Sequence, residues 1–321
     1  MLSDNLAIPK GSRILVTGAN SYIGSHIVDL LLELGYAVRG TVRENKPWLN
    51  ALFEKKYGKG QFETVIIPSL EAPGAFESAL ADVAGVVHVA SVVSFSSDPN
   101  EVVTPVVAAT INALQAASKH SSVKRFVLTS SSTAALLPPL NKKVVVTEVA
   151  AWSDSTPPEA KGFSNYAASK TEGEREAWKW IKKNKPGWGR ILAPQIPGST
   201  MGWTRNLLKG DDFAIKTFPP QWYVHVRDIA RHHAIALLAP AIHDERIFSF
   251  AGPFNWTEVL AILHKLRPEA QLPDAPENEG RDLSDIKPAK RAAALLKEYF
   301  GRDDWTSMEE ALAEGIEEVE Q

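Results

Sequence analysis

Residues 13–24 read RILVTGANSYIG, and this stretch decides the fold. Its first five residues form a short apolar run, as expected of a strand that is covered on both faces in a parallel sheet. Gly18 then allows a sharp turn, and Gly24 lets the following helix pack close to that strand. The free N–H groups and positive dipole end of such a helix can bind a pyrophosphate. The order of strand, glycine-containing turn and helix therefore predicts a dinucleotide-binding unit.

The residues between the two glycines are predicted to line the phosphate site, and they are Asn20, Ser21, Tyr22 and Ile23. Ser21 stands where the GxGxxG pattern has its middle glycine. Its Cβ atom crowds the closest approach of the backbone to a phosphate, but its hydroxyl group can itself donate to a phosphate oxygen.

Short apolar runs continue to alternate with amphipathic stretches along the first half of the chain. This alternation predicts an α/β fold, a doubly wound parallel (Rossmann) sheet with helices on both faces. From about residue 187 proline-rich turns interrupt shorter helices. We therefore expect a dinucleotide-binding domain over residues 1–186, and mainly a smaller C-terminal substrate lobe over residues 187–321, with some segments returning to the sheet. The predicted strands are 13–17, 37–42, 62–67, 86–90 and 125–129.

Composition excludes several classes of function. The 38 acidic and 35 basic residues give a net charge of −3, so nucleic acid is not an expected partner. The absence of cysteine excludes disulfides and cysteine nucleophiles. The eight histidines show no metal-binding spacing, and no apolar stretch is long enough to span a bilayer. We expect a cytoplasmic protein without a metal site or membrane contact, either a monomer or a homodimer.

The residues after the second predicted strand indicate which dinucleotide is bound. An acidic residue at this place accepts from the ribose 2′-OH of NAD, whereas a cation accommodates the 2′-phosphate of NADP. Arg43 ends the strand and Lys46 follows three residues later. Arg43 is the better candidate, because its guanidinium group can fork around a phosphate. NADP is therefore favoured; the alternative is that both cations are solvated and Glu44 reads NAD.

A second set of residues predicts acid catalysis. Tyr166 and Lys170 are four residues apart in a predicted helix, and this spacing puts them on one face. A lysine cation beside a tyrosine favours the phenolate and lowers the pKa of the phenol. Thr129 and Ser131 follow the fifth predicted strand, at the sheet edge where ligands of open parallel sheets bind. A hydroxyl group there can polarise a carbonyl.

At this point the sequence resembles the extended short-chain dehydrogenases/reductases. Within that family it is most similar to microbial NADPH-dependent aldehyde and ketone reductases and to dihydroflavonol reductases. The resemblance covers most of the chain and is carried by VTGANSYIGSHIVDLLLELGYAVRGTVR (16–43), GVVHVASVVSF (85–95), VKRFVLTSSS (123–132), NYAASKTEGEREAW (165–178) and YVHVRDIA (223–230).

The resemblance implies a role for each matching residue. Ser131 would bind the substrate oxygen, Tyr166 would donate the proton, and Lys170 would tune Tyr166 and hold the nicotinamide ribose. Asn112 would support the lysine through a water molecule. The activity implied is hydride transfer from NADPH to an aldehyde or ketone. Further residues are assigned by the same resemblance: to the cofactor Ser69, Leu70, Ala90, Ser91, Thr129 and Pro194, and to the substrate Val92, Phe95, Pro219 and Gln221.

Three departures from the family pattern concern ligand binding. Besides Ser21, Ser69 replaces the aspartate that usually touches adenine, and the segment after Pro194 looks shortened. Apolar residues around the expected cleft favour an aliphatic or aromatic carbonyl substrate, although about half of them could instead be core of the small lobe. They are Val92, Phe95, Met201, Trp203, Phe218, Trp222 and Tyr223.

Two other functions remain open from the sequence. A nucleotide-sugar epimerase or dehydratase shares the triad of serine, tyrosine and lysine. Such an enzyme retains NAD and needs charged residues to bind the sugar diphosphate, so Arg43 and the apolar lobe argue against this function. A non-catalytic NADP-binding sensor or scaffold is the other alternative. Such proteins commonly lose the tyrosine or the lysine, and both are retained here.

Overall fold

The computed structural model describes residues 5–94, 96–137, 140–148, 163–187, 191–192 and 201–317. Strands and helices alternate through its first half. The strands are β1 Arg13–Thr17, β2 Ala37–Val42, β3 Phe62–Ile66, β4 Val83–His88, β5 Arg125–Leu128, β6 Val145–Val146, β7 Ile191–Leu192, β8 Gln221–Tyr223, β9 Gly252–Phe254 and β10 Asp285–Ile286. The helices are α1 Tyr22–Glu33, α2 Pro47–Tyr57, α3 Pro99–Ser118, α4 Phe163–Asn184, α5 Met201–Leu207, α6 Phe213–Thr217, α7 Val226–Leu238, α8 Trp256–Leu266, α9 Ala289–Phe300 and α10 Met308–Glu317.

The central sheet has six parallel strands in the order β3-β2-β1-β4-β5-β7. The order reverses between β1 and β4, and ligands of open α/β sheets bind at the carboxyl ends of the strands at such a point. The predicted fold class, a doubly wound parallel sheet, is confirmed.

Strand β4 begins three residues before the predicted start and ends two residues before the predicted end. Its pairing with β1 runs from Val83 opposite Arg13 to His88 opposite Thr17, with a register shift near the start. Beyond His88 the backbone N–H of Ala90 donates to the Thr17 side-chain oxygen at 2.9 Å. A side chain thus replaces the next ladder hydrogen bond, and the chain leaves the sheet there.

Helices cover the sheet on both faces, as the apolar composition of its strands requires. On one face α1, α7 and α9 contribute buried residues to a common core, and α3 and α4 do so on the other. A separate core around Trp256 and Leu263 joins α5, α6, α8 and α10 in the smaller lobe. Although α7 follows residue 187 in sequence, it packs against α1 beside the main sheet. In the described part of the chain we find no helix with the length and apolar composition that crossing a bilayer requires.

Candidate active site

The turn between β1 and α1 has the geometry of a phosphate loop. Gly18 adopts a φ of +67°, and a Cβ atom on Gly24 would lie 2.2 Å from the Gly18 carbonyl oxygen, so no other residue fits at position 24 without moving the backbone. Ser21 is the N-cap of α1, and its Oγ accepts from the Gly24 N–H at 3.1 Å. The hydroxyl hydrogen of Ser21 is not used in this bond and can be donated to a ligand.

Thr41 at the end of β2 holds this turn in place. Its Oγ1 accepts from the Gly18 N–H at 3.1 Å, and its carbonyl oxygen accepts from the Ala19 N–H at 3.1 Å. Thr41 was not predicted as a site residue, because nothing in the local sequence pattern shows which residue of a neighbouring strand contacts the loop.

A cavity of about 600 Å³ opens over the carboxyl ends of the strands. Thirteen of the residues predicted from the sequence line it: Gly18, Asn20, Ser21, Tyr22, Ile23, Arg43, Leu70, Ala90, Ser91, Val92, Thr129, Tyr166 and Lys170. Eight lining residues were not predicted: Thr41, Val42, Ile67, Pro68, Glu71, Val89, Val93 and Ser130.

The two cations after β2 occupy different positions. Arg43 lines the cavity, whereas Lys46 does not and forms a short ion pair with Glu44. This pairing lowers the pKa of the Glu44 carboxyl group. Since Glu44 does not line the cavity either, Arg43 is the charged residue of this segment that lines it.

The segment after β3 forms another part of the wall. Pro68, Leu70 and Glu71 line the cavity, while Ser69 does not. Asn112 of α3 holds this segment, because its amide nitrogen donates to the carbonyl oxygens of Leu70 at 3.2 Å and of Ala72 at 3.1 Å. The amide hydrogens of Asn112 thus face this segment, and the water-mediated support of Lys170 expected of Asn112 stays a prediction.

Tyr166 and Lys170 lie one turn apart on α4, and each is about 8% exposed. The Lys170 ammonium nitrogen is 5.8 Å from the centroid of the Tyr166 ring. Burial raises the pKa of Tyr166, and a hydrogen bond with Ser131 opposes that rise. Burial also lowers the pKa of Lys170 to about 8. The group that opposes the rise in the pKa of Tyr166 is thus Ser131, whereas the sequence assigned this role to Lys170.

Ser131 is fully buried at the start of a short 3₁₀ turn that follows β5. Its Oγ accepts from Thr133 twice, from the backbone N–H at 3.3 Å and from the hydroxyl group at 2.9 Å. Because the oxygen accepts in both bonds, the Ser131 hydrogen can point to Tyr166. Tyr166 lines the cavity, whereas Ser131 itself is not among the lining residues. Thr133 is thus a supporting residue that the sequence analysis missed.

Thr129, two residues before Ser131, is hydrogen-bonded to helix α7. Its hydroxyl oxygen lies 2.8 Å from Nε2 of His233 on α7, and Nδ1 of His233 lies 2.8 Å from the Ile229 carbonyl oxygen. Burial lowers the pKa of His233 to about 4, so the ring is neutral near pH 7, donates to Ile229 and accepts from Thr129. The end of β5 is therefore tied to α7.

His88 at the end of β4 is a structural residue. Burial, and to a lesser degree the charge of Lys170, lowers the pKa of His88 to about 3. Its Nδ1 lies 3.1 Å from the Thr17 hydroxyl oxygen, which also accepts from the Ala90 N–H. Thr17 is therefore hydrogen-bonded to His88 and holds Ala90 at the cavity wall.

The residues assigned to the substrate are only partly tested by this geometry. Val92 lines the cavity, whereas Pro219 and Gln221 lie outside its lining, near β8. Phe218 is buried and stacks on Trp203 at a centroid distance of 4.0 Å. Both pack in the small-lobe core, so for these two the core alternative is favoured. Two other assigned residues, Phe95 and Pro194, lie outside the described residues.

Comparison with known proteins places the chain in a family. Residues 14–195 match the model of the NAD dependent epimerase/dehydratase family. The chain belongs to this family. The resemblance to extended short-chain dehydrogenases/reductases is thereby confirmed.

Two relatives that align over nearly their whole length are named for carbonyl reduction. A ketoreductase of Aspergillus novofumigatus is 45% identical, and the alignment covers 96% of this chain and 97% of that protein. Aldehyde reductase 2 of Sporidiobolus salmonicolor is 40% identical, with 96% of each protein covered. A solved structure of the yeast methylglyoxal/isovaleraldehyde reductase Gre2 with NADPH shares the fold, with a TM-score of 0.80 at 22% identity over 96% of this chain and 99% of that one.

Proposed function

We propose that this protein is an NADPH-dependent reductase of aldehydes and ketones. The observation that carries the proposal is that buried Ser131 is hydrogen-bonded to Tyr166, which with Lys170 lines a cavity that also includes the phosphate loop. The names of the ketoreductase and the aldehyde reductase described above support carbonyl reduction.

The residues present fit NADPH. Residues Asn20 to Ile23 at the start of α1 line the cavity, so a pyrophosphate bound there can reach the N-terminal N–H groups of the helix. Arg43 lines the same cavity, where a 2′-phosphate would need a cation. Lys170 and Tyr166 line the other part of the cavity and would hold the nicotinamide ribose. When bound, NADPH supplies the hydride.

The chain supplies the proton and the electrostatic stabilisation. Ser131 donates a hydrogen bond to the carbonyl oxygen of the substrate, so that the negative charge that develops there is stabilised. Tyr166 then transfers the proton of its Oη to that oxygen, and the product is an alcohol. The Lys170 cation favours the phenolate that Tyr166 becomes, and a proton from water restores the phenol.

This arrangement also discriminates among the alternatives. A non-catalytic NADP-binding protein has no need of a buried tyrosine that is hydrogen-bonded to a serine beside the cofactor cavity. In an NAD-retaining epimerase, an acidic residue that binds the ribose 2′-OH would have to line the cavity. Glu44 instead pairs with Lys46 and does not line the cavity. Both observations favour the NADPH-dependent reductase.

The direct test is a turnover assay. Oxidation of NADPH and of NADH is followed by absorbance with a panel of aliphatic aldehydes, aryl ketones and ketoesters. We expect turnover of at least one carbonyl class and a higher kcat/KM with NADPH than with NADH. Absence of turnover across the panel, or a preference for NADH, would overturn the proposal. A UDP-sugar in the same panel tests the epimerase alternative.

A further inference from the structure

Glu174 is a buried carboxylate on the same face of α4 as the catalytic pair. The residues Tyr166, Lys170 and Glu174 follow one another at intervals of four, so they are stacked along the helix. Glu174 is 1% exposed. Nothing in the mechanism above uses it, and a buried carboxylate is unfavourable unless it is fully paired.

The contacts of Glu174 join three parts of the chain. Its Oε2 accepts from the Ser130 hydroxyl at 3.0 Å and from Nη2 of Arg246 at 3.3 Å. Its Oε1 lies 2.5 Å from Nε of Arg246 and 3.4 Å from the indole N–H of Trp178. Arg246 is itself held, because its guanidinium carbon lies 5.0 Å from the centroid of the Phe248 ring. The carboxylate is therefore anchored by a buried cation and accepts a hydrogen bond from Ser130, in the segment that follows β5.

The bond from Ser130 matters because of its neighbour in sequence. Ser131 is the residue whose hydroxyl group meets Tyr166. A hydrogen bond from Ser130 to α4 fixes the backbone that carries Ser131 relative to the helix that carries Tyr166. On the other side, Thr129 is tied to α7 through His233. Together with the hydrogen bond between Ser131 and Tyr166, Ser130 thus connects this segment to the catalytic helix.

We propose that Glu174 is a positioning residue: held by Arg246, it binds Ser130 and so sets the alignment of Ser131 with Tyr166. This inference rests on the proposed function, because alignment matters only if the two hydroxyl groups act on one carbonyl oxygen. Loss of the anchor moves reacting groups by fractions of an ångström, which lowers kcat far more than it weakens cofactor binding.

Two variants test the proposal against one control. Glu174→Gln removes the charge that pairs with Arg246, and Ser130→Ala removes only the link to β5 and leaves the ion pair intact. Glu176→Gln is the matched control on the same helix, since Glu176 is paired with Lys179 at the surface. We expect kcat to fall about tenfold or more in both test variants. The Kd of NADPH, measured by its fluorescence, should stay within about twofold of the wild-type value, and the control should behave as wild type.

A second readout does not depend on turnover. The hydrogen bond with Ser131 lowers the pKa of Tyr166, so a misaligned Ser131 should let that pKa rise. Difference absorbance between each protein and its Tyr166→Phe counterpart isolates the ionisation of this phenol. In Ser130→Ala the phenolate should form at a higher pH than in the wild type. A merely structural role would lower the melting temperature without this displacement.

The proposal is overturned if Ser130→Ala has wild-type kcat and an unmoved phenol titration. If Glu174→Gln does not fold, Ser130→Ala decides alone. The proposed function fails separately, when the wild-type protein reduces no carbonyl compound; the phenol titration then still tests the alignment of Ser131 with Tyr166.

Discussion

The Thr133 hydroxyl group donates to the Ser131 hydroxyl oxygen across 2.9 Å, and both side chains are buried. The bond fixes the direction in which Ser131 presents its own hydrogen. A serine that must stabilise charge on a substrate oxygen benefits from this, because a fixed donor needs no reorganisation during the reaction.

Thr133→Val tests the value of this bond. Valine has nearly the shape of threonine, so the substitution removes the hydroxyl group and leaves the backbone N–H bond to Ser131. We expect kcat to fall about fivefold, the equivalent of one neutral hydrogen bond of about 1 kcal/mol, with little change in the KM for NADPH. Thr306→Val, a buried threonine of the small lobe, is the control. Equal kcat values in the two variants would show that Ser131 does not need Thr133.

Arg43→Ala tests whether Arg43 binds the 2′-phosphate of NADPH. Loss of a charge-assisted contact should raise the KM for NADPH by about 10- to 100-fold and leave the KM for NADH almost unchanged. Lys46→Ala is the matched control, because Lys46 is paired with Glu44 and does not line the cavity. An equal effect of Arg43→Ala on both cofactors, or a larger effect of Lys46→Ala, would contradict the assignment.

Lys170→Met tests the electrostatic cost of the catalytic lysine. Burial lowers the pKa of Lys170 from its ordinary 10.5 to about 8, so the folded state holds this proton less tightly than the unfolded state. Below about pH 8 the folded protein bears the full cost of the buried cation, and the cost disappears as the pH rises toward 10.5.

The variant should therefore be inactive but more stable at neutral pH, by up to about 3 kcal/mol in the free energy of unfolding. Urea unfolding at about pH 7 and about pH 9.5 should show this advantage shrinking as the pH rises. Lys179→Met, at an exposed position of the same helix, should show no such trend. A Lys170→Met protein that is less stable than the wild type at both pH values would refute the account of Lys170.

The parts of the fold that were predicted correctly depend on local patterns. The apolar runs and the two glycines around the first turn are each explained by neighbouring residues, so β1, the phosphate loop and α1 could be recognised directly. The end of β4 could not, since it depends on the Thr17 side chain, 73 residues away from Ala90.

The contacts that shape the catalytic site are mostly long-range, and this limits prediction from sequence. Glu174 and Arg246 are 72 residues apart, and only the folded chain brings them together. Asn112 was assigned to Lys170 by resemblance, but the face of α3 that carries its amide group meets the segment after β3. Lys46 was predicted as a cofactor ligand, and its ion pair with Glu44 cannot be recognised from the sequence alone.

The central claim is that the Tyr166 hydroxyl group provides the proton, and one variant addresses it most directly. Tyr166→Phe removes only that hydroxyl group from a buried side chain. With NADPH and the best carbonyl substrate of the wild-type protein, we expect kcat to fall about 100- to 10,000-fold while the Kd of NADPH, measured by fluorescence, is nearly unchanged. A Tyr166→Phe protein that binds NADPH normally and keeps kcat within a few-fold of the wild-type value would contradict the account.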